Sequence, residues 1–322
     1  MTRGQERSGL VFAGLCALNG AFVPAFAKLT TGAADGLFVA AATSVFAGLA
    51  AVVLLALRGE LGRLFARARL PYLLAIGALG TAVTFFLFFE GARRTSAITA
   101  ALCLQIEPVY SLVLARAALG HPITGRRLGA VAGILTGIAL ALGPGGSADP
   151  LGVALLLATP LGWQLSHLIV LRGLGDVAPR TLTGARYLFG GALLALVWAA
   201  SGGPASLPPP DALARLLPAL ALQGVVLSFV GTLLWYATIA RLDLARATSI
   251  VVPSIPLLSL GASFLLLGEV AGAREWAGLA LTAAGVLAFV TAPDALEPRV
   301  RVPSPTAPIA VADPEGEPAE RR

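Results

Sequence analysis

Residues 254–290, SIPLLSLGASFLLLGEVAGAREWAGLALTAAGVLAFV, hold two apolar runs around a polar turn, and they decide the fold because the chain carries the same pattern once before. Residues 106–142, IEPVYSLVLARAALGHPITGRRLGAVAGILTGIALAL, align with them at an offset of 148, which sets Pro108 against Pro256, Gly120 against Gly268, Arg126 against Arg274 and Gly137 against Gly285. Nearer the N-terminus the offset is 143, pairing Gly9 with Gly152, Gly32 with Gly175, Phe46 with Phe189 and Gly48 with Gly191. The extra residues fit the proline-rich loop SGGPASLPPP at 201–210. One unit is written twice.

Apolar runs recur along the whole chain. Of the 322 residues 57% are hydrophobic and 12% charged, with a mean hydropathy of +0.84, which is more apolar surface than a soluble domain can cover. A hydrocarbon core about 30 Å thick takes about 20 apolar residues of helix to cross. Ten such runs are expected, near 8–29, 34–57, 70–90, 95–117, 127–143, 151–171, 181–200, 217–240, 245–267 and 274–292. The first follows MTRGQERS without a small-residue cleavage pattern and reads as a retained helix.

The expected fold is therefore an all-α membrane protein of ten transmembrane helices. Five spans per repeat is an odd number, so the second repeat enters the bilayer from the opposite face. Such inverted repeats build alternating-access carriers, with the site where the halves meet at the midplane. The division expected is 1–146 for the first repeat, 147–292 for the second and 293–322 for a proline- and charge-rich disordered tail in the cytoplasm.

A net charge of +6 and a pI of about 10.1 would suggest nucleic acid in a soluble protein. Here the basic residues sort by loop. With the N-terminus in the cytoplasm, five of the 23 fall outside (Lys28, Arg93, Arg94, Arg215 and Arg274), Arg186 lies inside a span, and the other 17 face the cytoplasm. That bias sets the topology and, with an even number of spans, returns the C-terminus to the cytoplasm. One lysine among so many arginines, with heavy use of Ala, Gly and Pro, points to a GC-rich bacterial genome and hence to a bacterial cytoplasmic membrane.

At this point the chain resembles the drug/metabolite transporter superfamily, EamA type, over residues 8–292. The proline-bearing helix, the closing Leu-Gly-Glu at 267–269, the polar turn and the Gly-rich last helix carry the likeness in the second half. The first half matches with His121 in the place of the glutamate. Arg186, in TGARYLFGG, fits the arginine expected early in the second helix of a half, whereas its first-half counterpart near Thr43 does not. The resemblance implies a secondary transporter, often an exporter, for an amino acid, metabolite or drug-like amine.

The residues themselves point to where a solute would bind. A carboxylate at the bilayer centre costs at least about 2.5–3.5 kcal/mol, so Glu107 is expected to face a wet cavity and to have a partner. Pro108 removes an N–H and releases the carbonyl of Leu104, and Pro253 and Pro256 do the same to Ser249 and Val252 in the second copy. Tyr110 shares a helix face with Glu107. The run GWQLSHLIV places Trp163 and His167 on one face, with Gln164 and Ser166 beside them. Asn19, Arg186 and Tyr236 complete the candidate solute site, although Trp235 and Tyr236 also suit an interfacial aromatic belt. Glu107 is expected to exchange a proton or the solute's cationic group during turnover.

Other functions find less support. Cys16 and Cys103 sit in apolar runs, so neither a metal site nor a disulfide framework is expected. His-Glu-x-x-His, Gly-x-Ser-x-Gly and a phosphate-binding loop are absent from the sequence, so no enzyme, cofactor or ATP-driven transport is indicated. GLGD at 173–176 resembles the motif of intramembrane aspartyl proteases, but every aspartate falls in a loop or at a span end, where two cannot share a proton. An uncoupled facilitator on the same scaffold is the nearest alternative.

Overall fold

The structure, a computed structural model, describes residues 3–120, 122–143, 149–242 and 244–292. His121 and the expected 293–322 tail lie outside the described residues. Among the described residues the chain is helical without strands, and ten helices are long and apolar enough to cross a membrane. They are α1 (Gln5–Thr31), α2 (Gly36–Leu57), α3 (Leu70–Arg94), α4 (Ala97–Ala118), α5 (Gly125–Leu142), α6 (Pro150–Gly173), α7 (Pro179–Ala200), α8 (Pro210–Ile239), α9 (Arg246–Leu267) and α10 (Ala273–Val290). Each falls on an expected run. The eighth differs most, starting at Pro210 instead of near 217. Proline at a helix start loses no hydrogen bond, and the helix runs on through Pro218.

Local sequence sets the ends. Asp35 Oδ1 accepts from Phe38 N at 2.9 Å, Ser96 Oγ from Thr99 N at 3.0 Å and Asp149 Oδ1 from Leu151 N at 2.9 Å, each satisfying an amide that a helix start leaves open. Gly120 and Gly268, paired by the repeat, stop α4 and α9 with φ of +72° and +68°. Only glycine enters that left-handed region without a Cβ penalty.

Reciprocal contacts reveal how the repeats meet. A methyl added to Gly48 on α2 would stand 3.1 Å from the Tyr187 carbonyl oxygen on α7, and one added to Gly191 on α7 would stand 3.1 Å from that of Ser44 on α2. At the offset of 143, Gly48 becomes Gly191 and Ser44 becomes Tyr187, so one contact is made twice. The α5–α10 seam repeats this at the offset of 148: a methyl added to Gly137 would stand 2.7 Å from the Gly278 carbonyl oxygen, and one added to Gly285 would stand 2.9 Å from that of Ala130. In both seams the residue number rises along one helix as it falls along the other. The pairs are antiparallel, and the two-fold axis relating them is perpendicular to the helices, hence in the membrane plane. The repeats are inverted. Small residues permit this close approach, which membrane helices need because lipid offers little hydrophobic drive between them.

The same operation organises the rest: α1 packs on α8 and α9 as α6 packs on α3 and α4. Even an irregularity is repeated, since α3 contains a π-helical turn at Ala78–Val83 and α8 one at Leu222–Val230. Such a widened turn displaces the usual donor of a carbonyl. Thr84 Oγ1 donates to Leu79 O at 2.6 Å, and Asn19 Nδ2 from α1 donates to Leu227 O at 2.9 Å. Large apolar side chains such as Leu57, Leu196, Phe264 and Leu265 remain exposed on the outside. Lipid is the cover that such a surface requires.

On the face carrying the α2–α3 and α6–α7 loops, Arg180 Nη2 donates to Glu60 Oε1 at 2.6 Å and its Nε donates to Oε2. This hydrogen bonding holds the Glu60 carboxyl below its ordinary value of 4.5. A carboxyl lowered in the folded state contributes stability that is complete above that value and is lost as the pH falls through the folded pKa. Glu60→Gln is expected to cost about 1 kcal/mol at neutral pH. The difference in thermal midpoint from the unsubstituted protein should close as the pH drops below 4.5; unfolding in detergent at both ends of that range checks it.

Candidate functional site

Pro108 shapes the site from the backbone outward. Without an N–H it cannot bond Leu104 O, and the chain responds by tightening. Leu104–Ile106 is a 3₁₀ turn, and Glu107 N takes the released Leu104 carbonyl. A new α-helical segment, Glu107–Leu119, then begins. The interruption sets Glu107 on the wall of a cavity, where its Oε1 accepts a hydrogen bond of 2.8 Å from Gln164 Nε2 on α6. Pro253 and Pro256 behave differently: α9 continues through both, and neither lines the cavity.

The cavity encloses about 1140 Å³ between the repeats, more than one small solute needs. It reaches Leu174, Gly175 and Val177 in the α6–α7 loop and Leu242 after α8. On the opposite face polar contacts gather, those of Glu269 with Ala97 and Ile98 and of Arg94 with Asp149 joining the two halves and that of Lys28 with Arg93 lying within the first. Lys28 Nζ on α1 donates to Arg93 O at 3.1 Å, and the Glu269 carboxylate after α9 accepts from Ala97 N at 3.1 Å and Ile98 N at 3.2 Å, completing the cap of α4. Glu90 binds Arg93 and Arg94, and Arg94 reaches Asp149 at 3.3 Å. The position matching Lys28 at the offset of 143 is Leu171, which lines the cavity mouth. The cavity lining thus reaches the loops of one face, and the contacts between the halves gather on the other.

Arg186 enters from α7 and donates from Nη2 to the Gly80 carbonyl at 2.7 Å. Glycine is required there, because a Cβ would lie 2.8 Å from the Ser166 Cβ and 3.2 Å from Arg186 Nε. That Nε is buried and has no hydrogen-bond partner among the described residues. Its two-fold mate, Thr43, is fully buried with an unpartnered Oγ1.

Of the residues singled out by sequence, Asn19, Glu107, Pro108, Trp163, His167, Arg186 and Tyr236 line the cavity. Gln164 lies behind Glu107, and Tyr110 turns its hydroxyl to the Leu157 carbonyl at 3.0 Å. Trp235, which suited an aromatic belt, faces the cavity beside Tyr236. Sequence reasoning overlooked Phe85, Phe88, Phe89, Gln223 and Ile255, which also line it. The signal was present for two of them: Phe88 and Phe89 precede Trp235 and Tyr236 by 147 residues, so one aromatic pair pointed to the other.

Comparison with known proteins bears on what such a cavity carries. The model of the EamA-like transporter family matches residues 7–143 and 150–291. A protein of Streptantibioticus cattleyicolor described as a probable terminal-alkyne amino-acid exporter is 29% identical over 269 residues, spanning 79% of this chain and 84% of the relative. An uncharacterized protein of Pseudomonas aeruginosa is 35% identical over 172 residues, covering 53% of this chain and 57% of its own. In fold, a protein crystal structure superposes with a TM-score of 0.60 at 19% identity, covering 88% of this chain and 96% of the other.

Proposed function

The chain belongs to the EamA-like transporter family, and from that premise we propose that it exports a small zwitterionic solute with an apolar part, such as an amino acid, by alternating access. One observation carries the reading: the cavity between the inverted halves holds one carboxylate, Glu107, and one guanidinium with an unpartnered Nε, Arg186, among aromatic side chains. Glu107 takes the solute's ammonium group or a proton, and Arg186 takes a carboxylate, to which its planar fork is suited. The name of the Streptantibioticus relative, an amino-acid exporter, agrees with a solute of that chemistry.

By the positive-inside rule the arginine-rich face is cytoplasmic, so the open cavity mouth faces the cell interior and is poised to load. Residues 1–146 and 147–292 then act as the two rocking units. The experiment is counterflow into proteoliposomes loaded with radiolabelled amino acids, amines and carboxylates in turn. Preferential exchange of zwitterions over either singly charged class is expected. Equal exchange of all classes, or none, overturns the reading.

A further inference from the structure

The cavity is symmetric in backbone and asymmetric in chemistry. Two-fold mates line it together: Gly20 with Trp163, Val23 with Ser166, Pro24 with His167, and Ile255 with Glu107. In these four pairs the member on α1 or α9 is apolar and the member on α4 or α6 carries a polar atom, while the pair Leu104 and Val252 is apolar on both sides. Because α1 packs on α9 and α6 on α4, each set forms a continuous wall. Asn19 is the polar side chain on the α1 wall, and its amide is committed to the Leu227 carbonyl.

At the middle of the apolar wall two residues fit each other. A Cβ on Gly20 would lie 2.9 Å from Ile255 Cδ1 and 3.2 Å from its Cγ1, so Ile255 lies flat against α1 only because residue 20 has no side chain. Glu107, the mate of Ile255, stands at the symmetry-related position on the polar wall. We infer that Gly20 and Ile255 form a length gauge: the polar head of an amphipathic solute sits at the Glu107 wall, and Ile255 limits how long an unbranched aliphatic tail can extend toward α1 and α9. This rests on the reading of the cavity as the solute site and narrows that solute to a primary ammonium compound bearing an aliphatic chain.

The consequence is a chain-length limit that moves with two side chains. Each methylene that finds apolar contact raises affinity about fourfold, and the gain stops where the tail meets Ile255. Ile255→Ala moves the limit outward by about two or three carbons, and Ile255→Val by about one. Gly20→Ala displaces Ile255 into the cavity and moves the limit inward.

The test titrates the purified full chain in detergent with n-alkylamines from propyl to decyl and with the matching straight-chain α-amino acids. The readout is the fluorescence of Trp163 and Trp235, which line the cavity. The limits are expected to shift in opposite directions for Ile255→Ala and Gly20→Ala, while Leu265→Ala on the lipid-facing surface leaves the limit in place. An identical limit in all variants, or no binding by either series, overturns the gauge. Parallel flux measurements separate the two ideas. A moving limit without flux removes the transport reading and keeps the gauge, whereas flux with a fixed limit does the reverse.

Discussion

Glu107→Gln abolishes the pH dependence of transport and lowers the flux of ammonium-bearing solutes by about ten- to a hundredfold, the loss expected when a charge-assisted hydrogen bond becomes a neutral one. The substitution keeps the shape of the side chain and can keep a hydrogen bond to Gln164, whose Nε2 now lies 2.8 Å from the carboxylate. What it removes is the charge and the titratable proton. A carboxyl that cycles between proton and solute ties flux to the proton gradient, and a glutamine cannot. Flux measured in proteoliposomes across a range of external pH decides the matter. Unchanged flux with an unchanged pH response would refute the role of Glu107, and a pH-independent unsubstituted protein would favour an uncoupled facilitator.

The second large effect concerns the scaffold. Gly278→Ala is expected to destabilise the folded bundle by about 3 kcal/mol, the upper end of the cost of overpacking. The new Cβ would lie 2.7 Å from the Ala141 Cβ and 2.9 Å from the Ala141 backbone nitrogen. Backbone cannot swing aside as a flexible side chain can. Gly129→Ala on the partner helix α5 is the control, because its Cβ would meet nothing within 4 Å. There the better helix propensity of alanine adds about 0.5–1 kcal/mol of stability. Thermal unfolding in detergent should therefore move in opposite directions for the two glycine-to-alanine changes. If Gly278→Ala is neutral, the α5–α10 seam is looser than its reciprocal glycine contacts imply.

Both predictions bear on how such a protein changes state. The α2–α7 and α5–α10 seams are self-complementary across the two-fold axis, each making the same contact twice. The α1–α9 and α4–α6 pairs exchange roles under that axis, and they differ chemically, with Gly20 against Ile255 in one and Gln164 hydrogen-bonded to Glu107 in the other. Rocking that opens one face and closes the other would have to repack these two interfaces, and a polar contact in one of them gives a solute or proton something to compete for.

The sequence by itself determined the spans, their number and the repeat. Hydropathy over about 20 residues is a local property, and a chain that must satisfy its backbone inside lipid has helix as its open choice. The inversion followed from counting to five. The break at Leu104–Ile106 was also legible, since Pro108 lacks an N–H wherever it is placed. The tertiary structure alone decided which helix faces look inward. Tyr110 shares the Glu107 face by spacing, yet its hydroxyl turns to the Leu157 carbonyl. Pro253 and Pro256 repeat the motif of Pro108, yet α9 runs on through them and they stay out of the cavity. Trp235 and Tyr236 suit a lipid interface in composition and line a cavity in fact. The rotation of α2, α5, α7 and α10 is set by glycine seams formed between residues more than a hundred positions apart, and no local pattern of hydrophobicity encodes that rotation.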